Sequence, residues 1–129
     1  MAHNEPSFFR YFYNKPDVHI VRMPSGQARL ASSLFLNNEL SVDDGEKCTA
    51  QETAGRNPGC GVSAVPKAKF AELNLVVKPD PMPENDAHCV VLGITQKTAK
   101  KLAKASMIVV QLPDLVVVDG DGRETTSAA

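Results

Sequence analysis

The chain has 129 residues, 43% of them hydrophobic and 22% charged, which is one domain of average globular composition and excludes wholesale disorder and collagen-like repeats. Fourteen Lys and Arg against fifteen Asp and Glu give a formal net charge of −1, which excludes a globally basic nucleic-acid coat and an acidic tail protein. With Trp absent and aromatics at 5%, Val, Leu, Ile and Ala must fill a core that buries roughly two-thirds of the unfolded surface.

Residues 1–7 are polar and read as a flexible N-terminus, with His3 inside it. Phe8, Phe9, Tyr11, Phe12 and Tyr13 are five of the seven aromatic residues, and Phe8, Phe9 and Phe12 have the i, i+1, i+4 spacing of one helical turn, stopped by Asn14 and Pro16. Val18 to Met23 alternates, is β-branched and closes on Pro24-Ser25-Gly26, which predicts a strand and a turn. Ala28 to Leu36 and Glu39 to Asp43 read as a hairpin about Asn37-Asn38. Glu46 to Ala54 has helical propensity and stops at Gly55.

Asn57 to Gly61 is a loop, Val62 to Val65 a short strand, and Pro66 opens a short helix over Lys67 to Leu73. Asn74 to Val77 is another strand, and the loop from Lys78 to Asp86 carries three prolines. Ala87 to Ile94 is the clearest strand, apolar enough to be buried on both faces. Thr95 is placed to cap a helix from Gln96 to about Met107. Ile108 to Val110 and Leu115 to Val118 are two further short strands, and residues 119–129 read as a flexible C-terminal tail. Strands interspersed with two or three short helices, without a βαβ period, predict a small single α+β domain with a mixed β-sheet over residues 8–118.

Cys48, Cys60 and Cys89 are too far apart for paired zinc ligands, and an odd count without an apolar leader points to reduced thiols in a cytoplasm. No apolar run approaches the ~20 residues a bilayer requires, so no membrane is expected. Phosphate-loop, nucleophile-elbow and dinucleotide motifs are absent, so no cofactor is expected. Asp119-Gly120-Asp121-Gly122 has the look of a calcium loop but lacks the distal Glu, so it reads as a turn and no metal is expected.

Three polar groupings stand out. His88 opens the apolar strand after the acidic proline loop, where a histidine is oriented yet reachable by solvent and suits a general base. Strand alternation puts Arg29 and Ser33 on one side, able to share an anion, with Glu39 and Asp43 nearby in sequence. Lys97, Lys100, Lys101 and Lys104 share one face of the last helix, opposite Ala99, Leu102, Ala103 and Ser106, with no acidic residue between positions 95 and 110. That stripe reads first as a solvated face, and otherwise as a seat for RNA or DNA phosphates or for an acidic partner.

The stretches Gly26 to Phe35, Glu39 to Asp43 and Asp86 to Gly93 resemble a group of small bacterial hypothetical proteins without an established activity. The resemblance spans roughly residues 8–107 and implies no reaction; it favours Arg29, Ser33, Glu39, Asp43 and His88 as positions to test. The sequence as a whole points to a non-catalytic cytoplasmic binding or accessory domain of a bacterial protein. Its partner would be another protein or a second copy, with nucleic acid less favoured. The alternative is a small enzyme for a nucleotide-like or phosphorylated ligand, with Arg29 holding the anion and His88 or Glu39 as acid or base.

Overall fold

A computed structural model describes residues 5–120. His3, Asp121 and Gly122 lie outside them. Eight strands and three helices follow in order: β1 (Ser7–Phe12), β2 (Ile20–Arg22), β3 (Ala28–Leu30), β4 (Leu40–Asp44), α1 (Ala50–Arg56), β5 (Gly61–Pro66), α2 (Lys67–Glu72), β6 (Val76–Pro79), β7 (His88–Leu92), α3 (Gln96–Ala105) and β8 (Met107–Val110). A 3-10 turn covers Ser32–Leu34. Six strands form one sheet in the order β6-β7-β4-β1-β5-β8, and β2 and β3 form a separate ribbon. The molecule is thus a small single α+β domain. Every ladder is antiparallel, and parallel pairing is confined to isolated bridges such as Ala28 with Val117.

The aromatic segment is a strand rather than the helical turn its spacing implied. Residues 7 to 12 pair along their whole length with β5, Ser7 opposite Pro66 through Phe12 opposite Gly61. The period of two satisfies all five rings, because both sheet faces receive cover. Phe8 and Phe12 point inward with Leu40, Val42, Val65 and Val91, under α3, the β2–β3 ribbon and the buried Leu34 and Phe35. Phe9, Tyr11 and Tyr13 point the other way, against Ala50 and Ala54 of α1. Phe12 and Phe35 are wholly buried, and each such ring contributes roughly 1.5–3 kcal/mol of transfer free energy.

Other expectations change in register. The hairpin about Asn37-Asn38 does not form: Ala28 to Leu36 breaks after Leu30 into the 3-10 turn, and β4 pairs with β1 and β7. The helix expected from Glu46 starts at Ala50, where Thr49 accepts from the Glu52 amide at 3.1 Å and Glu52 accepts from the Thr49 amide at 2.8 Å. Thr49-x-x-Glu52 is a capping box, a signal present in the sequence. β7 alternates between buried and half-buried positions instead of being buried on both faces. Leu115 to Val118 forms no strand beyond the single bridge at Val117.

At the termini, Ser7 is already in β1. Asp119 and Gly120 are docked, the Asp119 carboxylate accepting from the Ile108 amide at 2.9 Å and the Gly120 amide donating to the Ser106 carbonyl at 2.8 Å. Thr95 caps α3 as expected, its hydroxyl accepting from the Thr98 amide at 3.2 Å. Among the described residues no helix is long and apolar enough to cross a membrane.

Two glycines make opposite demands. A Cβ at Gly61 would lie 2.5 Å from Phe12 Cζ and 2.8 Å from the Val110 carbonyl oxygen, whereas one at Gly55, inside α1, meets nothing within 4 Å. Urea denaturation should therefore show Gly61→Ala losing about 1–3 kcal/mol through overpacking and Gly55→Ala gaining about 0.5–1 kcal/mol through helix propensity.

A second test concerns His19, which ties the end of β1 to the ribbon. Its Nδ1 accepts from the Tyr13 amide at 2.8 Å and its ring stacks on Tyr13 at 6.2 Å. Burial, with Arg10 and Lys15 nearby, lowers its pKa to about 4 from an ordinary 6.5. Below pH 6.5 the unfolded chain therefore takes up a proton that the folded chain refuses, and stability falls between pH 6.5 and 4. Solvent around the half-buried ring reduces the loss to on the order of 1–2 kcal/mol. Stability curves measured across that window should be steeper for the wild type than for His19→Gln; equal slopes would remove His19 as the cause.

Candidate functional site

The outer face of the sheet is only half covered. α1 packs across β1, β5 and β8, which leaves β4 and β7 open beside the proline loop. Register places Phe9 of β1 opposite Asp43 of β4, and Asp43 opposite His88 of β7. These three side chains form a row across adjacent strands, on one face. With Tyr11 and Ser41 they floor a cavity of about 730 Å³, walled by Arg56 on α1 and by Met82 to Asn85 of the loop.

Asp43 is the one buried carboxylate among the described residues, 7% exposed. Three donors reach it: Thr53 Oγ1 at 2.7 Å, Arg56 Nη2 at 2.9 Å and Asn85 Nδ2 at 2.9 Å. Burial opposes its ionisation, but the bonds from Thr53, Arg56 and Asn85 outweigh burial and hold its pKa below the ordinary carboxylate value. Asp43 is thus a tie between strand, helix and loop. Asn85 holds its own place through the turn it closes, exchanging two 3.0 Å backbone bonds with Met82.

His88 does line the cavity, as its position at the start of the strand implied. Its Nδ1 lies 3.1 Å from both the backbone oxygen and the carboxylate of Asp80. This orients the ring, and no hydrogen bond engages Nε2 among the described residues. At the other edge, Arg10 Nη1 donates to the Ser41 carbonyl at 3.4 Å, and its guanidinium lies 4.8 Å from the Tyr11 ring centre. Burial lowers the Arg10 pKa, and its Nε is buried without a partner.

The remaining candidates lie elsewhere. Arg29 is on the β2–β3 ribbon, which packs on the inner face, so the six-stranded sheet separates it from His88. Arg29 lines a different groove, of about 470 Å³, together with Ser32, Lys100 and Lys104. Ser33 does not share that groove: its hydroxyl donates to the Val18 carbonyl at 2.6 Å, because the 3-10 turn breaks the alternation that would have set it beside Arg29. Glu39 is exposed in the turn before β4 and lines neither cavity. Lys97 and Lys101 are exposed on α3, outside the groove. Sequence reasoning missed Thr53, Arg56 and Asn85; for Thr53 and Arg56 the capping box at Thr49 was the available signal, since it sets where α1 begins, whereas nothing local marked Asn85 in the loop.

Among the described residues no group of three His, Cys, Asp or Glu side chains is placed to hold a metal ion. Comparison with protein-family models, with curated proteins and with solved structures finds no match in any of the three.

The three-way tie gives a direct expectation. Asp43→Ala leaves Arg56, Thr53 and Asn85 facing a buried gap, and chemical denaturation should record a loss of about 2–3 kcal/mol. Arg56→Ala should cost less, about 1 kcal/mol, because the Arg56 side chain is 30% exposed and water replaces its partner. A loss at Asp43 no larger than at Arg56 would mean that the carboxylate does not join the three elements.

Proposed function

We propose that this chain is a non-catalytic binding domain of a bacterial cytoplasmic protein, and that it takes a small, ring-bearing ligand on the open half of the sheet. The observation that carries the reading is the cavity of about 730 Å³, floored by Phe9 and Tyr11 beside a carboxylate already engaged by three donors. A ligand site of roughly 300–1,000 Å³ combines an apolar floor with a few fixed polar groups. Here the rings offer stacking surface, while Arg56 and His88 offer polar contacts at the rim. An acid–base role for Asp43 is disfavoured, because a proton transfer there would break bonds that hold the fold. The cytoplasmic assignment draws on the three free cysteines, and the bacterial one on the resemblance of three sequence stretches.

The enzyme reading needs Arg29 and His88 in one pocket, and they line separate cavities on opposite sides of the sheet. Another protein, or a second copy, remains the competing occupant of the open face.

Thermal shift across nucleosides, aromatic amino acids and flavin-like heterocycles should find a stabilising compound, since a ligand at 100 times its Kd adds about 2.7 kcal/mol. Amide NMR shifts should then centre on Phe9, Tyr11, Asn85 and His88. Tyr11→Ala should weaken that ligand at least tenfold with the fold retained. Turnover of the bound compound, or shifts centred on the inner face, would overturn the reading.

A further inference from the structure

We propose a second site, independent of the first: the groove between β3 and α3 binds the phosphoryl group of a small phosphorylated molecule. Arg29 and Ser32 form one wall, Lys100 and Lys104 the other, around a space of about 470 Å³ with no carboxylate among the described residues that line it. The three cations come from positions some seventy residues apart in the chain, brought together by the fold.

Among the described residues their charge is not consumed by ion pairs. Arg56, Lys67 and Lys69 each meet a carboxylate within 3.1 Å. Among the described residues no carboxylate lies within ion-pair distance of Arg29, Lys100 or Lys104. Lys97 and Lys101, exposed on the same helix, deepen the positive field.

The walls are fixed before any ligand arrives. Leu30 and Leu34 on one side pack with Ala99, Leu102 and Ala103 on the other in the buried core. β3 is held from behind, the Ala28 amide donating to the Val116 carbonyl at 3.0 Å and the Val118 amide to the Ala28 carbonyl at 2.8 Å. Gly120 closes the floor: a Cβ there would run into the Ala103 carbonyl oxygen. The backbone of both walls is thus in place, and binding has to order only the exposed side chains of Arg29, Lys100 and Lys104.

One effect opposes an anion here, the negative end of the α3 dipole, worth about half a charge. The Ala103 carbonyl in that last turn already accepts from Ser106 Oγ at 2.6 Å, and three full positive charges outweigh the remainder. A guanidinium fork, two ammonium groups and a hydroxyl match a phosphate dianion better than a single carboxylate, which offers two oxygens and half the charge. A nucleic-acid backbone would use the whole lysine face instead, including Lys97 and Lys101.

The experiment titrates the full chain with pyrophosphate, with 5′-AMP against adenosine, and with polyuridylate RNA, followed by calorimetry and amide NMR. Pyrophosphate and 5′-AMP should bind, with shifts at Arg29, Ser32, Lys100 and Lys104, and adenosine should give no shift there. Arg29→Gln and Lys100→Gln should each weaken pyrophosphate at least tenfold at unchanged melting temperature, while the Lys97→Gln/Lys101→Gln pair stays within twofold. Absence of binding by both phosphate probes overturns the site. So does equal weakening by the Lys97/Lys101 pair, or RNA binding to which all four lysines contribute alike.

Discussion

A carboxylate taken out of water must find donors, and Asp43 finds three on three different pieces of chain. That constraint organises the outer face. It fixes the angle at which α1 crosses the sheet, because Thr53 and Arg56 are three residues apart on one side of the helix. It also draws the proline loop back over β4 through Asn85. Apolar packing also seats α1, whose Ala50 and Ala54 cluster with Phe9, Tyr11 and Tyr13, whereas the loop exposes Met82. Packing and polar bonds therefore share the helix wall of the cavity, and the loop wall is tied to β4 by the Asn85 bond.

The sheet itself separates two chemistries. Alternation along β1, β4 and β7 sends Phe8, Phe12 and aliphatic side chains such as Leu40, Val42 and Val91 inward, and Phe9, Tyr11, Asp43 and His88 outward. The inner layer then carries its own polar groove on its far side, where α3 and the ribbon meet. A carboxylate-lined, ring-floored concavity and a cationic groove thus sit on opposite sides of one small domain, in different electrostatic surroundings.

How much of this the sequence discloses depends on how local each signal is. Thr95 and the Lys and Ala-Leu faces of α3 lie within about ten consecutive residues, and the helix begins at Gln96 as they imply, though it ends at Ala105 rather than near Met107. Pro66 before α2 is equally local. The rings of β1 fit a helical turn and a two-faced strand alike, and only the unseen partner β5, some fifty residues on, selects the strand. β4 likewise lies between β1 and β7, which no hairpin pattern could announce. For the sites, Asp43 and His88 were legible as polar residues in apolar strands, and register brought them together. Arg29 with Lys100 and Lys104 was legible as charge but not as one groove, since the pairing depends on how the ribbon docks.

Arg10 shows where the fold yields. β1 shares six registered pairs with β5 but two with β4, Phe8 with Asp44 and Phe9 with Asp43. Beyond them the Arg10 guanidinium reaches the Ser41 carbonyl at 3.4 Å, a long and weak substitute for ladder bonds. Its buried Nε is left without a partner, a deficit of about 1–3 kcal/mol. Tyr11 and Ser41, on either side of this gap in the ladder, both line the cavity.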